Sequence, residues 1–202
     1  QLSQRSSTVA IGFEAGKNTQ DTNSIAIGYQ AGEITQKGNS IAIGYQAGQD
    51  SQQSQNVAIG YQAGQNTQDS NSVAIGFRAG RNSQKSNTIA IGYHAGLNNQ
   101  QSQSVAIGNQ AGLNSQQGYA VALGYQAGWS GQASNAISIG RGAGYDRQQN
   151  QAVAIGYNAG NDNQNTAAVA VGSYAGRICQ LDYTVAVGIR AGEIDQQNNS
   201  IA

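Results

Sequence analysis

Val57-Ala58-Ile59-Gly60-Tyr61-Gln62-Ala63-Gly64, followed by Gln65-Asn66-Thr67-Gln68-Asp69-Ser70-Asn71-Ser72, is one copy of a sixteen-residue unit. The pattern restarts at Val73 and began one unit earlier at Ile41. Twelve complete copies run from Val9, and Ile201 opens a thirteenth. A strict internal period of this kind implies a solenoid, in which each coil covers the apolar face of its neighbour.

The phases within the unit show what each position must do. Position 1 is Val or Ile, position 2 is Ala except at Ser138, and position 3 is Ile, Leu or Val. Position 4 is Gly throughout, and positions 7 and 8 are always Ala-Gly. Position 5 is aromatic in eight copies: Phe13, Tyr29, Tyr45, Tyr61, Phe77, Tyr93, Tyr125 and Tyr157. Small residues usually hold position 16. The Val-Ala-Ile run alternates with period two and predicts a short strand with positions 1 and 3 on one face and Ala on the other. Gly at position 4 predicts a bend or a close backbone approach. Tyr-Gln-Ala is expected to be a second short strand, with Gly at position 8 turning the chain again. A helix is excluded by the frequency of Gly, and collagen by the absence of a three-residue Gly period and of Pro.

The fold expected is therefore all-β: a parallel β-solenoid or β-roll of about twelve sixteen-residue coils. At an interstrand rise of about 4.8 Å the coils would stack to roughly 58 Å. Residues 1–202 read as a single repetitive segment, with full coils over 9–200 and partial coils at 1–8 and 201–202. Neither end resembles a polar cap, so the expectation is a piece of a longer fibre protein.

In-register coils place each residue above its counterpart. Position 12 is Gln in every copy: Gln20, Gln36, Gln52, Gln68, Gln84, Gln100, Gln116, Gln132, Gln148, Gln164, Gln180 and Gln196. A carboxamide can donate and accept along the stacking axis, so these residues are expected to form a structural amide ladder. A thin coil of this composition buries little apolar surface, and association between chains would compensate. The flat Ala at position 2 is suited to close packing between chains, which makes homo-oligomerisation the economical expectation.

Composition narrows function. Apolar residues are 38%, charged residues 10%, and the ten basic residues balance ten acidic ones. No basic stripe for nucleic acid is present, and no apolar run is long enough to span a bilayer. No catalytic, cofactor-binding or metal-ligating set stands out. His94 is the sole histidine, Asp50, Asp69 and Asp146 fall in separate coils, and Cys179 is the sole cysteine. Gly140-Arg141-Gly142-Ala143-Gly144 lacks the Lys and following helix of a phosphate loop and reads as a degenerate repeat. One irregularity suggests contact. Position 9 is polar or charged in the early copies, becomes Leu97, Leu113, Trp129 and Tyr145, then reverts to Asn161 and Arg177. Those four residues are the candidate contact patch.

Ser72-Val73-Ala74-Ile75-Gly76 and Ser104-Val105-Ala106-Ile107-Gly108 resemble the head repeats of YadA-type trimeric autotransporter adhesins. The longer Ile-Ala-Ile-Gly-Tyr-Gln-Ala-Gly form is similar to repeats in YadA-like structural proteins of large algal viruses and in phage-type fibres. The resemblance covers essentially residues 3–202, although the uniform sixteen-residue coil differs from the shorter, more variable coils of bacterial heads. It implies a left-handed β-roll, three chains around a common axis, and a role in surface attachment. The expected protein is a non-enzymatic, extracellular fibre segment on a bacterial cell or virion. Its expected partners are its own copies in a homotrimer and a host-cell receptor or glycan, without cofactor, nucleic acid or membrane insertion. The alternatives are an architectural spacer and, less favoured, an ice-binding solenoid. For the last, the position 11 series Thr19, Thr35, Ser51, Thr67, Ser83, Asn99, Gly131 is too irregular.

Overall fold

The computed structural model describes residues 3–202. The chain forms two compact units, one running to Gln103 and one over Ser104–Ala202. Each unit is a parallel β-solenoid with sixteen-residue coils, and no helix occurs among the described residues. In the first unit the main sheet stacks Val9–Ile11, Ile25–Ile27, Ile41–Ile43, Val57–Ile59, Val73–Ile75 and Ile89–Ile91. The register is like upon like: Val57 pairs with Val73 and Ala58 with Ala74. The second unit repeats this with Val105–Ile107, Val121–Leu123, Ile137–Ile139, Val153–Ile155, Val169–Val171 and Val185–Val187.

The interior is built from the smallest apolar residues. Ala at positions 2 and 7 is fully buried through most of both units, as in Ala58, Ala63, Ala154 and Ala159. Val and Ile at positions 1 and 3 face outward, and Ile139 and Ile155 remain 36% exposed. The expectation that Ala packs between chains is therefore corrected. Ala packs within the coil, and the larger aliphatic files lie on its outer surface. Glycine shows why the interior takes nothing bigger. A Cβ built on Gly64 would lie 2.8 Å from Gln68 Oε1 and 3.4 Å from the Ala58 Cβ. That lumen has no room for Val at position 2.

The second expected strand is also corrected. Tyr61-Gln62-Ala63-Gly64 is a turn, with Gln62 at φ 53° and Gly64 at φ 52°. β-propensity at Tyr gives way to the turn geometry that Gly60 and Gly64 impose. The turns still bond from coil to coil: Gly60 N donates to Ile43 O at 2.8 Å, and Gln62 N to Tyr45 O at 2.8 Å. A second, shorter sheet forms instead at positions 11 and 12, over Thr19–Gln20, Thr35–Gln36, Ser51–Gln52 and Thr67–Gln68. From Ser83 onward position 11 turns left-handed, at φ 107° in Ser83 and 54° in Asn99. Thr is β-branched and resists that region, whereas Asn tolerates it. In the second unit Asp162–Gln164 and Ile178–Gln180 still pair as a two-stranded parallel sheet, with Asn163 at φ 54° and Cys179 at φ 53°.

Candidate functional site

Gln at position 12 fills the rest of the lumen. Gln20 through Gln180 are fully buried, and Gln196 is 7% exposed. In the first unit Gln68 Nε2 donates to Val57 O (3.2 Å), Ser72 O (3.2 Å) and Gln84 Oε1 (3.1 Å). In the second, Gln164 Nε2 donates to Val153 O (2.8 Å), Ala168 O (3.0 Å) and Gln180 Oε1 (3.0 Å). Gln148 Nε2 in turn donates to Gln164 Oε1 at 3.0 Å. Gln68 and Gln164 therefore each serve their own coil through two carbonyls and the adjacent coil through one. A buried polar group without such partners would carry a large desolvation cost.

The outer surface of the first unit carries two further amide columns. At position 6, Arg78 Nε donates to Gln62 Oε1, Gln62 to Gln46, Gln46 to Gln30, and Gln30 to Glu14, all at 2.9 to 3.0 Å. At position 9, Arg81 Nε donates to Gln65 Oε1 (2.8 Å), Gln65 to Gln49 (3.0 Å), and Gln49 to Glu33 (2.8 Å). Every amide points the same way. A carboxylate closes the accepting end of each column and a guanidinium the donating end, so charge-assisted bonds finish both. Lys17 and then Gln30 donate to Glu14 and hold its carboxyl below the usual range. This surface is occupied with itself.

The aromatics at position 5 lie beside these columns. Phe13, Tyr29, Tyr45, Tyr61, Phe77 and Tyr93 stack with centroids 5.0 to 5.2 Å apart. His94 sits against Tyr93 at 4.1 Å. Burial first, then the Arg78 and Arg81 charges, lower its pKa, so it is neutral at pH 7. Burial, then Asp195, raises the Cys179 thiol and keeps it protonated at neutral pH. Among the described residues no group of His, Cys, Asp or Glu is placed to hold a metal ion. No helix there is long and apolar enough to cross a membrane.

The position 9 residues singled out by sequence fall in both units. Leu97 is half-buried in the first unit. In the second, Leu113 is 9% exposed, and Trp129 and Tyr145 are half-buried and stacked at 4.9 Å with planes 3° apart. The geometry brings Trp129 and Tyr145 together as a flat aromatic pair, with Leu113 largely covered.

A family model described as the YadA head domain repeat (2 copies) matches residues 18–31. That window contains Thr19–Gln20, the Ile25–Ile27 strand and the Tyr29-Gln30-Ala31 turn, so the repeat is similar to the YadA head repeat in its strand and in its turn. No curated protein and no solved structure matches the chain.

Proposed function

We propose that this chain is a non-enzymatic segment of a surface fibre that works as a homotrimer and attaches through repeated, weak contacts. One observation carries the reading: the solenoid buries Ala and leaves its Val and Ile files outside, at intermediate exposure, in coil after coil. An aliphatic face repeated in register is suited to a second and third copy of the same face. The similarity of residues 18–31 to the YadA head repeat supports the same arrangement and an extracellular place on a cell or virion. The aromatic pair Trp129–Tyr145 is the proposed contact, and Gln at position 12 is the proposed internal ladder that fixes coil register.

Adhesion is tested with beads coated with the protein and washed over host cells. Retention at least about tenfold above albumin-coated beads is expected, because many weak contacts act together, and Trp129→Ser with Tyr145→Ser should remove most of it. Retention equal to albumin would overturn adhesion in favour of a spacer. The first unit favours that second reading on its own, since its surface amides bond to one another.

A further inference from the structure

The two outer columns that close on themselves in the first unit are interrupted in the second: position 9 carries Leu113, Trp129 and Tyr145, and position 6 breaks at Gly142. At position 6, Gln126 Nε2 donates to Gln110 Oε1 at 2.8 Å. The next residue of that column is Gly142, so no side chain continues it. At position 5, Arg141 stands between Tyr125 and Tyr157 where an aromatic ring would otherwise stack. At position 9, Tyr145 and Asn161 replace the Gln of the early coils. The Asn158 carboxamide leans over Gly142, into the place a Cβ would take, and beside it lies a cavity of about 250 Å³ lined by Gln126, Arg141, Tyr145, Tyr157, Asn158 and Asn161 around Gly142.

The polar groups around this notch are not used up by the protein. Arg141 lies over the rings of Tyr125 (5.5 Å) and Tyr157 (5.7 Å) and has no carboxylate partner among the described residues. The neighbouring Asp146 and Asp162 are both held by Arg147, at 3.1 and 2.9 Å. Gln126 Oε1 has lost the donor that Gly142 would have supplied, and the Asn158 carboxamide bonds no other described side chain. Gln126 Nε2 is committed to Gln110 Oε1, and Asn161 Nδ2 to Gly142 O at 2.8 Å. Two tyrosines complete the wall, and Tyr145 is braced from behind by Trp129.

We infer that the Gly142 notch is a binding subsite for one carboxylated sugar residue of an acidic glycan. An orientated guanidinium stacked on aromatic rings presents its N–H edge to a carboxylate in bidentate fashion. Gln126 Oε1 and the Asn158 carboxamide match ring hydroxyls, which both donate and accept. Tyrosine rings suit the apolar C–H face of a pyranose, and the cavity holds one ring rather than a chain. A neutral sugar leaves the guanidinium unanswered, and an inorganic anion leaves the amides and rings unused. The inference deepens the adhesive reading and rests on it for its biological setting, but the binding itself can be measured without cells.

Trp129 is the sole tryptophan, and its stack on Tyr145 makes its emission a local reporter. Titration of the full chain with glucuronate or galacturonate should give a saturable change, half-maximal on the order of 1–10 mM as suits a single shallow subsite. Galactose should require at least about tenfold more. Two variants test the site with folding preserved, because each restores the residue usual at its position. Gly142→Gln refills the column at a φ of 64°, where Gln126 already adopts 54°, and its Cβ turns aside the Asn158 carboxamide that leans over Gly142. Arg141→Tyr refills the aromatic file. Both should abolish the uronate response with unchanged circular dichroism. No saturable response in the wild type, or a response kept by Gly142→Gln, would overturn the subsite while leaving bead adhesion to stand or fall by itself. A uronate response without bead retention would keep the subsite and remove adhesion.

Discussion

Gly60→Ala is expected to destabilise the protein by about 4 kcal/mol, which for a chain of this size lowers the melting temperature by about 10 °C. Gly60 takes φ 130°, and a Cβ there would lie 2.5 Å from Gly76 O and 2.9 Å from Gly76 C. Those are backbone atoms of the adjacent coil and cannot rotate away. They are also fixed by the bond from Gly76 N to Ile59 O at 2.8 Å. The substitution therefore forces adjacent coils apart at the strand's end. Gly131→Asn separates this cause from a general intolerance of replacing glycine. Gly131 has φ 68°, its added Cβ would meet nothing closer than 3.7 Å, and Asn99 and Asn163 hold the same phase at φ 54°. It should change stability by less than about 0.5 kcal/mol. Thermal unfolding followed by circular dichroism reads both, and equal melting temperatures for Gly60→Ala and wild type would refute the packing described.

Gln164→Leu is expected to cost about 3 kcal/mol, although it keeps nearly the same volume. The leucine takes away the donor to Val153 O, Ala168 O and Gln180 Oε1, and the acceptor of Gln148 Nε2. Gln148 keeps its own bonds to Ile137 O and Ala152 O, so the loss concentrates on the acceptors of Gln164. They lie in a lumen that its own side chains fill. Gln149→Leu, one residue along and exposed, is the control and should stay within about 0.5 kcal/mol. If denaturant unfolding gave the two variants the same midpoint, the internal amide would carry no structural weight.

Much of the fold is legible in the period. A sixteen-residue repeat with Val-Ala-Ile at fixed phase dictates coils stacked in register, and Val57 does pair with Val73. Which face of that strand points inward is not legible from alternation, because both faces are apolar. Size would favour Val and Ile inside. The outcome depends on a lumen width set by Gly64, Ala63 and the reach of Gln68, which becomes visible only once the coil closes. Tyr61-Gln62-Ala63 misleads for a related reason: its residues suit a strand, but the neighbouring glycines impose a turn. Recurrence singles out Gln68 as special, while its acceptors, Val57 O and Ser72 O, lie eleven residues before and four after it. The notch at Gly142 illustrates the other limit. In sequence, Arg141-Gly142 is one worn copy of the repeat. Only in the stack do Arg141, Tyr145 and Tyr157 close around Gly142 as a cavity with Gln126 and Asn158.

The outward Val and Ile files make trimerisation the claim on which the functional account turns. The mass of the chain in solution, measured by light scattering behind size-exclusion chromatography, tests it most directly. About three times the chain mass of 20.8 kDa is the predicted result, with Ile139→Glu and Ile155→Glu together shifting it toward the single-chain value. A folded wild-type protein at 20.8 kDa would contradict the account, since the aliphatic face would then stand in water without a partner.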